Sequence, residues 1–170
     1  VTFVITPEAS SGGLSCPGQI LNYIINVKPK PQITLTNGSQ TICSNQSSGA
    51  ITFASNVSNT TYSWNSSVAP GLTLPTNQSG TSNPIPATSG ILNNGTSNGD
   101  ITYTIIPTAD GCPGNPSTAT ITVKPLPVAT LSPSSHDAIC SGAQTNPIAI
   151  TSNLTGTTSY TLAVDRKSVG

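Results

Sequence analysis

The chain has no methionine, one tryptophan, one histidine and only 6% charged residues among its 170. Each scarcity removes a class of function. Five basic and five acidic residues give a formal net charge of +0. That leaves no Lys/Arg excess to neutralise a phosphate backbone or an anionic lipid surface, so nucleic-acid binding and direct membrane insertion are both excluded as expectations. No run approaches the roughly 20 apolar residues of a transmembrane helix. Val1 to Pro7 also lack the charged start and apolar core of an export signal. Together with the missing methionine, this reads as an internal segment of a longer exported protein whose signal and anchor are encoded elsewhere.

Chemistry-bearing side chains are equally scarce. Glu8, Asp100, Asp110, Asp137 and Asp165 are the only carboxylates. A general acid–base pair needs two of them converging in one pocket. Asp100 and Asp110 instead flank the strand-like stretch 101–106, which places them at its opposite ends. Both stand in turn contexts, Asn98-Gly99-Asp100 and Asp110-Gly111. His136 beside Asp137 resembles half of a catalytic triad, yet Ser134 and Ser135 lie too near in sequence to be the separately positioned nucleophile. One carboxylate with neighbouring asparagine carbonyls, at Asp100, is thin for a Ca²⁺ site, which usually gathers several charged ligands. No enzyme, metal or cofactor is expected.

What the chain does have is Thr, Ser, Asn, Gly and Pro, with 34% hydrophobic residues in short alternating runs. Ile51-Thr52-Phe53, Tyr62-Ser63-Trp64, 101–105 and 119–123 each alternate apolar with polar, the period of a half-buried strand. Pro70-Gly71, Asn93-Asn94-Gly95 and Asp110-Gly111 supply turn residues between them. No helical period competes. The chain is expected to be all-β, built of tandem immunoglobulin-like antiparallel β-sandwich repeats.

The repeat itself is visible when the sequence is slid on itself by about 96 residues. Val1 to Pro7 then aligns with Ile101 to Pro107, and a four-residue insertion in the first copy follows before the match resumes. Cys16-Pro17-Gly18 matches Cys112-Pro113-Gly114, and Ile25 to Pro31 matches Ile121 to Pro127. Ile42-Cys43-Ser44 matches Ile139-Cys140-Ser141, and Ser55 to Ser58 matches Ser152 to Thr155. The Lys-Pro-x-Pro segments at 28–31 and 124–127 cannot donate ladder hydrogen bonds at their prolines and favour extended backbone, so they read as joints. Residues 1–31 are then the last strands of one unit, 32–127 a complete unit and 128–164 the opening strands of a third. Residues 165–170, which hold both arginine and lysine, break the pattern and read as a foreign tail.

Trp64, with Tyr62 and Tyr103, is expected to anchor the core of the middle unit. A sugar-stacking platform is the alternative, but Tyr160-Thr161-Leu162 puts leucine at the tryptophan position of the next unit, and leucine fills a core without offering a ring face. The four cysteines are of two kinds, Ile-Cys-Ser (Cys43, Cys140) and Cys-Pro-Gly (Cys16, Cys112). They permit three full pairings, of which the economical one joins Cys43 to Cys112 inside the middle unit and leaves Cys16 and Cys140 to partners beyond the chain. Such a bond implies an oxidising compartment. A zinc site would need an unusual donor set, since no Cys-x-x-Cys pair exists and His136 is alone. Eight Asn-x-Ser/Thr sequons, at Asn37, Asn45, Asn56, Asn59, Asn65, Asn77, Asn94 and Asn153, are what so much Asn, Ser and Thr produces by coincidence.

Ile42 to Ser44, Tyr62 to Trp64, Gly99 to Cys112 and Thr122 to Pro127 together resemble the PKD-like repeat of Bacteroidota surface proteins. The resemblance spans nearly all of residues 1–164. It implies a large multi-repeat exported protein of the gliding-motility adhesin type, sent out by the type IX secretion route, with no shared catalytic residues. The expectation is therefore a non-catalytic structural and adhesive stalk at the cell surface. Its partners would be neighbouring repeats, and surface glycans or other cells through the parent protein. The alternative is a carbohydrate-binding or spacer module of a large secreted polysaccharide-degrading enzyme.

Overall fold

The structure, a computed structural model, describes residues 1–75, 79–134, 138–154 and 159–163. In the first stretch β1 (Thr2–Ile5) pairs antiparallel with β4 (Leu21–Ile24), and β2 (Glu8–Ser11) pairs with β3 (Leu14–Pro17). The middle stretch carries β5 (Ile33–Thr36), β6 (Ser39–Cys43), β7 (Thr52–Ser55), β8 (Thr61–Val68) and β9 (Leu72–Thr73). It continues with β10 (Ser79–Gly80), β11 (Leu92–Asn93), β12 (Gly99–Ala109), β13 (Cys112–Pro113) and β14 (Ser117–Lys124). Last come β15 (Ala129–Ser132) and β16 (Ala149–Ser152), an antiparallel pair.

Two layers form the middle sandwich. One is a sheet in the order β10-β8-β12-β14-β6, with β13 folded back on the far end of β12. The other is the β5–β7 pair, widened by a bridge between Ile51 and Ile85. Alternation decides which side chains meet between them. On β12 the even spacing sends Ile101, Tyr103 and Ile105 inward, and on β14 it sends Ala119, Ile121 and Val123 inward. Ile51 and Phe53, with Ile85 and Ile91, close the core from the opposite layer. The chain is an all-β, immunoglobulin-like sandwich.

The chain changes layer between β5 and β6. β5 pairs antiparallel with β7, whereas β6 pairs parallel with β14 in the other sheet. Asn37 makes the crossing with φ 62°, a left-handed conformation that asparagine tolerates better than most residues. Its Nδ2 donates to Ala50 O at 3.1 Å, and Gln40 Nε2 donates back to Asn37 O at 3.1 Å. Periodicity alone did not single out this parallel edge strand, because its pairing is set by β14, about 80 residues away.

Among the described residues the flanking stretches have no second layer. Residues 1–27 expose a run of large apolar side chains; Tyr23, for example, is 62% exposed. The strand position expected at Tyr160 to Leu162 is not a strand, and Leu162 lies open to solvent. Among the described residues nothing corresponding to β12 stands beside it to supply a ladder. His136, Asp137, Asn77 and the tail 165–170 lie outside the described residues.

The pairing of Cys43 with Cys112 is corrected by the topology. Cys43 stands opposite Lys124 at one end of the sheet, and Cys112 stands opposite Ala109 at the other. Between those levels runs β12, whose 11 residues span roughly 33 Å at the usual strand rise. A disulfide needs Cα atoms about 4.4–6.8 Å apart. No two of the four cysteines are joined within the chain.

Candidate functional site

Trp64 sits on β8, a strand flanked by β10 and β12. The alternation Tyr62, Trp64 turns both rings toward the opposite layer. Trp64 is 8% exposed. Its neighbour across the ladder is Gly80, and a Cβ there would lie 2.6 Å from Trp64 Cζ2. Only glycine leaves room for the indole at that register. Indole Nε1 donates to Ser82 O at 3.1 Å, so its polar edge is satisfied while its faces pack.

Tyr103, on the neighbouring strand β12, meets Trp64 edge to face with ring centroids 5.9 Å apart. Tyr62 packs edge to face on Phe53 at 4.7 Å and is partly buried against the same core. Trp64 and Tyr103 also floor a cleft of about 470 Å³ rimmed by Ser79, Thr81, Ser82 and Thr88. A sugar-stacking site needs an open aromatic face, and with Trp64 at 8% and Tyr103 at 3% exposure neither ring offers one.

Burial raises the Tyr103 phenol above its ordinary value of 10.0, and a side-chain hydrogen bond with Thr88 acts in the opposite direction. The folded state therefore holds this proton longer than the unfolded chain does. Stability from the neutral buried phenol is fully present below pH 10 and falls as pH rises above it. In alkaline titrations followed by urea unfolding, Tyr103→Phe is expected to flatten that decline while leaving its value at neutral pH little changed.

Asp100 and Asp110 do not converge. Asp100 Oδ1 accepts from Thr122 Oγ1 at 2.7 Å at the start of β12. Asp110, with φ 48°, shapes the turn with Gly111 after its end. Among the described residues no three His, Cys, Asp or Glu side chains gather as a metal would require. Two sequon asparagines instead extend strand pairs by one step, Asn56 beyond β5–β7 and Asn153 beyond β15–β16. Asn56 Oδ1 accepts from Gln32 N at 2.8 Å, and Asn153 Oδ1 accepts from Val128 N at 2.6 Å.

Asn93 is the site residue that the sequence pattern hid. It lies in an Asn-Asn-Gly cluster that reads as a turn, yet it is buried. Its Nδ2 donates to Val123 O at 2.7 Å and to Ser97 O at 2.9 Å, while Oδ1 accepts from Gly95 N at 2.9 Å. Its own backbone N–H donates to Ser44 Oγ at 2.9 Å, and Ser44 N donates to Lys124 O at 2.7 Å. This network closes the end of the sandwich where the chain leaves through Pro125.

At the opposite end the incoming segment is clamped. Lys28 Nζ donates to Asp110 O at 2.9 Å, and Lys30 Nζ donates to Asn115 Oδ1 at 2.8 Å. Pro31 is fully buried. Its carbonyl lies where a Cβ on Gly114 would stand, so the chain presses directly on the hairpin that joins β12 to β14.

The fold and these features define an immunoglobulin-like sandwich module whose aromatics serve its own core and whose ends are built to meet connecting chain. A sequence model of the PKD-like domain matches residues 40–127, just over half of the chain. The chain belongs to the PKD-like domain family. No curated protein matches it in sequence comparison. Domains of this family occur in extracellular and surface proteins and are generally non-catalytic modules.

Proposed function

We propose that the chain is a run of serial PKD-like units in a stalk, which holds other domains of an exported surface protein away from the cell and performs no chemistry itself. The observation that carries this reading is the recurrence of the same hydrogen bonds at aligned positions. Gly18 N donates to Pro7 O at 2.7 Å, and Gly114 N donates to Pro107 O at 2.8 Å. The Gln32–Asn56 contact likewise recurs as Val128–Asn153. Residues 1–31 thus carry the closing hairpin of a unit and residues 128–154 its opening pair, on either side of a complete sandwich. Adhesion belongs on this reading to the parent protein, through surface glycans or other cells, and the Bacteroidota gliding-adhesin type with its type IX route rests on the sequence resemblance.

Fluorescence separates the stalk from a carbohydrate-binding module. A stalk predicts blue-shifted Trp64 emission that resists a soluble quencher and does not change when oligosaccharides are added. Quenching at the rate of free tryptophan, or an emission shift that saturates with an oligosaccharide, would transfer the function to the cleft.

A further inference from the structure

We propose that successive units are cross-linked across their joint, by a disulfide between the Ile-Cys-Ser cysteine of one unit and the Cys-Pro-Gly cysteine of the next. Cys43 and Cys112 then each bond outside the unit that contains them. The inference rests on the serial-unit reading above.

The first support is the placement of the two thiols at opposite ends of one sandwich. Cys43 is beside Lys124, where the chain leaves, and is exposed. Cys112 is on the short hairpin where the chain enters, and is partly exposed. In a head-to-tail series these two ends face each other.

The second support is a ruler already present at the incoming joint. Lys28 aligns with Lys124, and its ammonium reaches Asp110 O at 2.9 Å, two residues before Cys112. In β6–β14, Cys43 is the direct neighbour of Lys124. Paired residues on adjacent strands send their side chains from the same face of a sheet. A cysteine standing beside Lys28 as Cys43 stands beside Lys124 therefore points, like Lys28, at the turn preceding Cys112. The Lys30 and Pro31 contacts hold that approach in place.

The step itself is ordinary thiol–disulfide exchange. A low-molecular-weight disulfide is attacked by one thiolate, giving a mixed disulfide, and the second thiolate then displaces the leaving thiol. One Sγ–Sγ bond forms and the oxidant's S–S bond breaks. The two S–H protons and two electrons leave as two molecules of reduced thiol. Such an oxidant matches an exported location.

The test is a chain in which residues 1–127 are followed directly by a second copy of 32–127, equilibrated in a thiol–disulfide buffer, alkylated and mapped by mass spectrometry. Every core residue of the middle unit lies within 31–124, so each copy has its own core. The expected product joins Cys43 of the first copy to Cys112 of the second. Cys112 of the first copy and Cys43 of the second remain alkylated. Two folded copies with all of these thiols alkylated, or with Cys43 joined to Cys112 within one copy, would overturn the cross-link while leaving serial units intact. A second copy that stays unfolded and protease-sensitive would overturn both.

Discussion

Trp64→Ala is expected to lower the unfolding free energy of the middle unit by about 3–5 kcal/mol, the usual cost of emptying an aromatic site in a packed core. A domain of this size is stable by only about 5–15 kcal/mol, so the loss is a large fraction of the total. The effect is large because the indole fills space that neighbours cannot reclaim. Gly80 has no side chain to move in, and Tyr103 is held edge-on by the same sheet. Loss of the Nε1 hydrogen bond adds little, since Ser82 is exposed and its carbonyl can turn to water. Trp64→Leu, the residue found at the aligned position Leu162, should retain part of the packing and cost less than alanine. Urea unfolding followed by circular dichroism reads both, and a Trp64→Ala midpoint equal to that of the parent would remove Trp64 from the core.

Asn93→Ala should be the next most damaging change, at about 2–4 kcal/mol. It removes two donated bonds and one accepted bond from a buried end of the sandwich, including the donor to Val123 O at 2.7 Å. Asn93→Asp should do no better, because a carboxylate keeps the acceptor for Gly95 N and turns a second acceptor toward two carbonyls. Asn94→Ala is the control. Asn94 is exposed and makes one long contact, 3.3 Å to Thr73 Oγ1, so its loss should fall within about 0.5 kcal/mol of the parent. Equal unfolding midpoints for Asn93→Ala and Asn94→Ala would contradict the network.

These two residues also mark what could and could not be read from sequence. Trp64 stands in an alternating run, and alternation is a local signal, so its strand and its inward face were legible from Tyr62-Ser63-Trp64. The same holds for 101–105 and 119–123. Asn93 carries no such signal. Its burial depends on Ser44 and Val123, 49 and 30 residues away, and a turn-forming tripeptide looks the same whether it is exposed or covered. The parallel edge strand at 39–43 escaped for the same reason. Its partner lies on the last strand, and its switch of layers hangs on the conformation of Asn37.

The cysteines show a different limit. The sequence sorts them into two kinds, one opening a unit and one near its close. It does not say that these kinds occupy opposite ends of a sandwich. That follows only once β12 is seen to run 11 residues between the level of Cys43 and the level of Cys112. Proximity in the order of elements is no guide to proximity in space when one long strand carries the chain from end to end.

Hydrogen exchange along the 170-residue chain, read by mass spectrometry, tests most directly the central claim of one self-sufficient PKD-like unit between two partial ones. The slowest amides should fall on β7, β8, β12 and β14, with protection bounded by the joints near Pro31 and Pro125. Amides of 1–27 and 128–154, whose apolar faces have no second layer, should exchange orders of magnitude faster. Uniform slow exchange from β1 through β16 would instead mean one cooperative domain, and the account of serial units would fail.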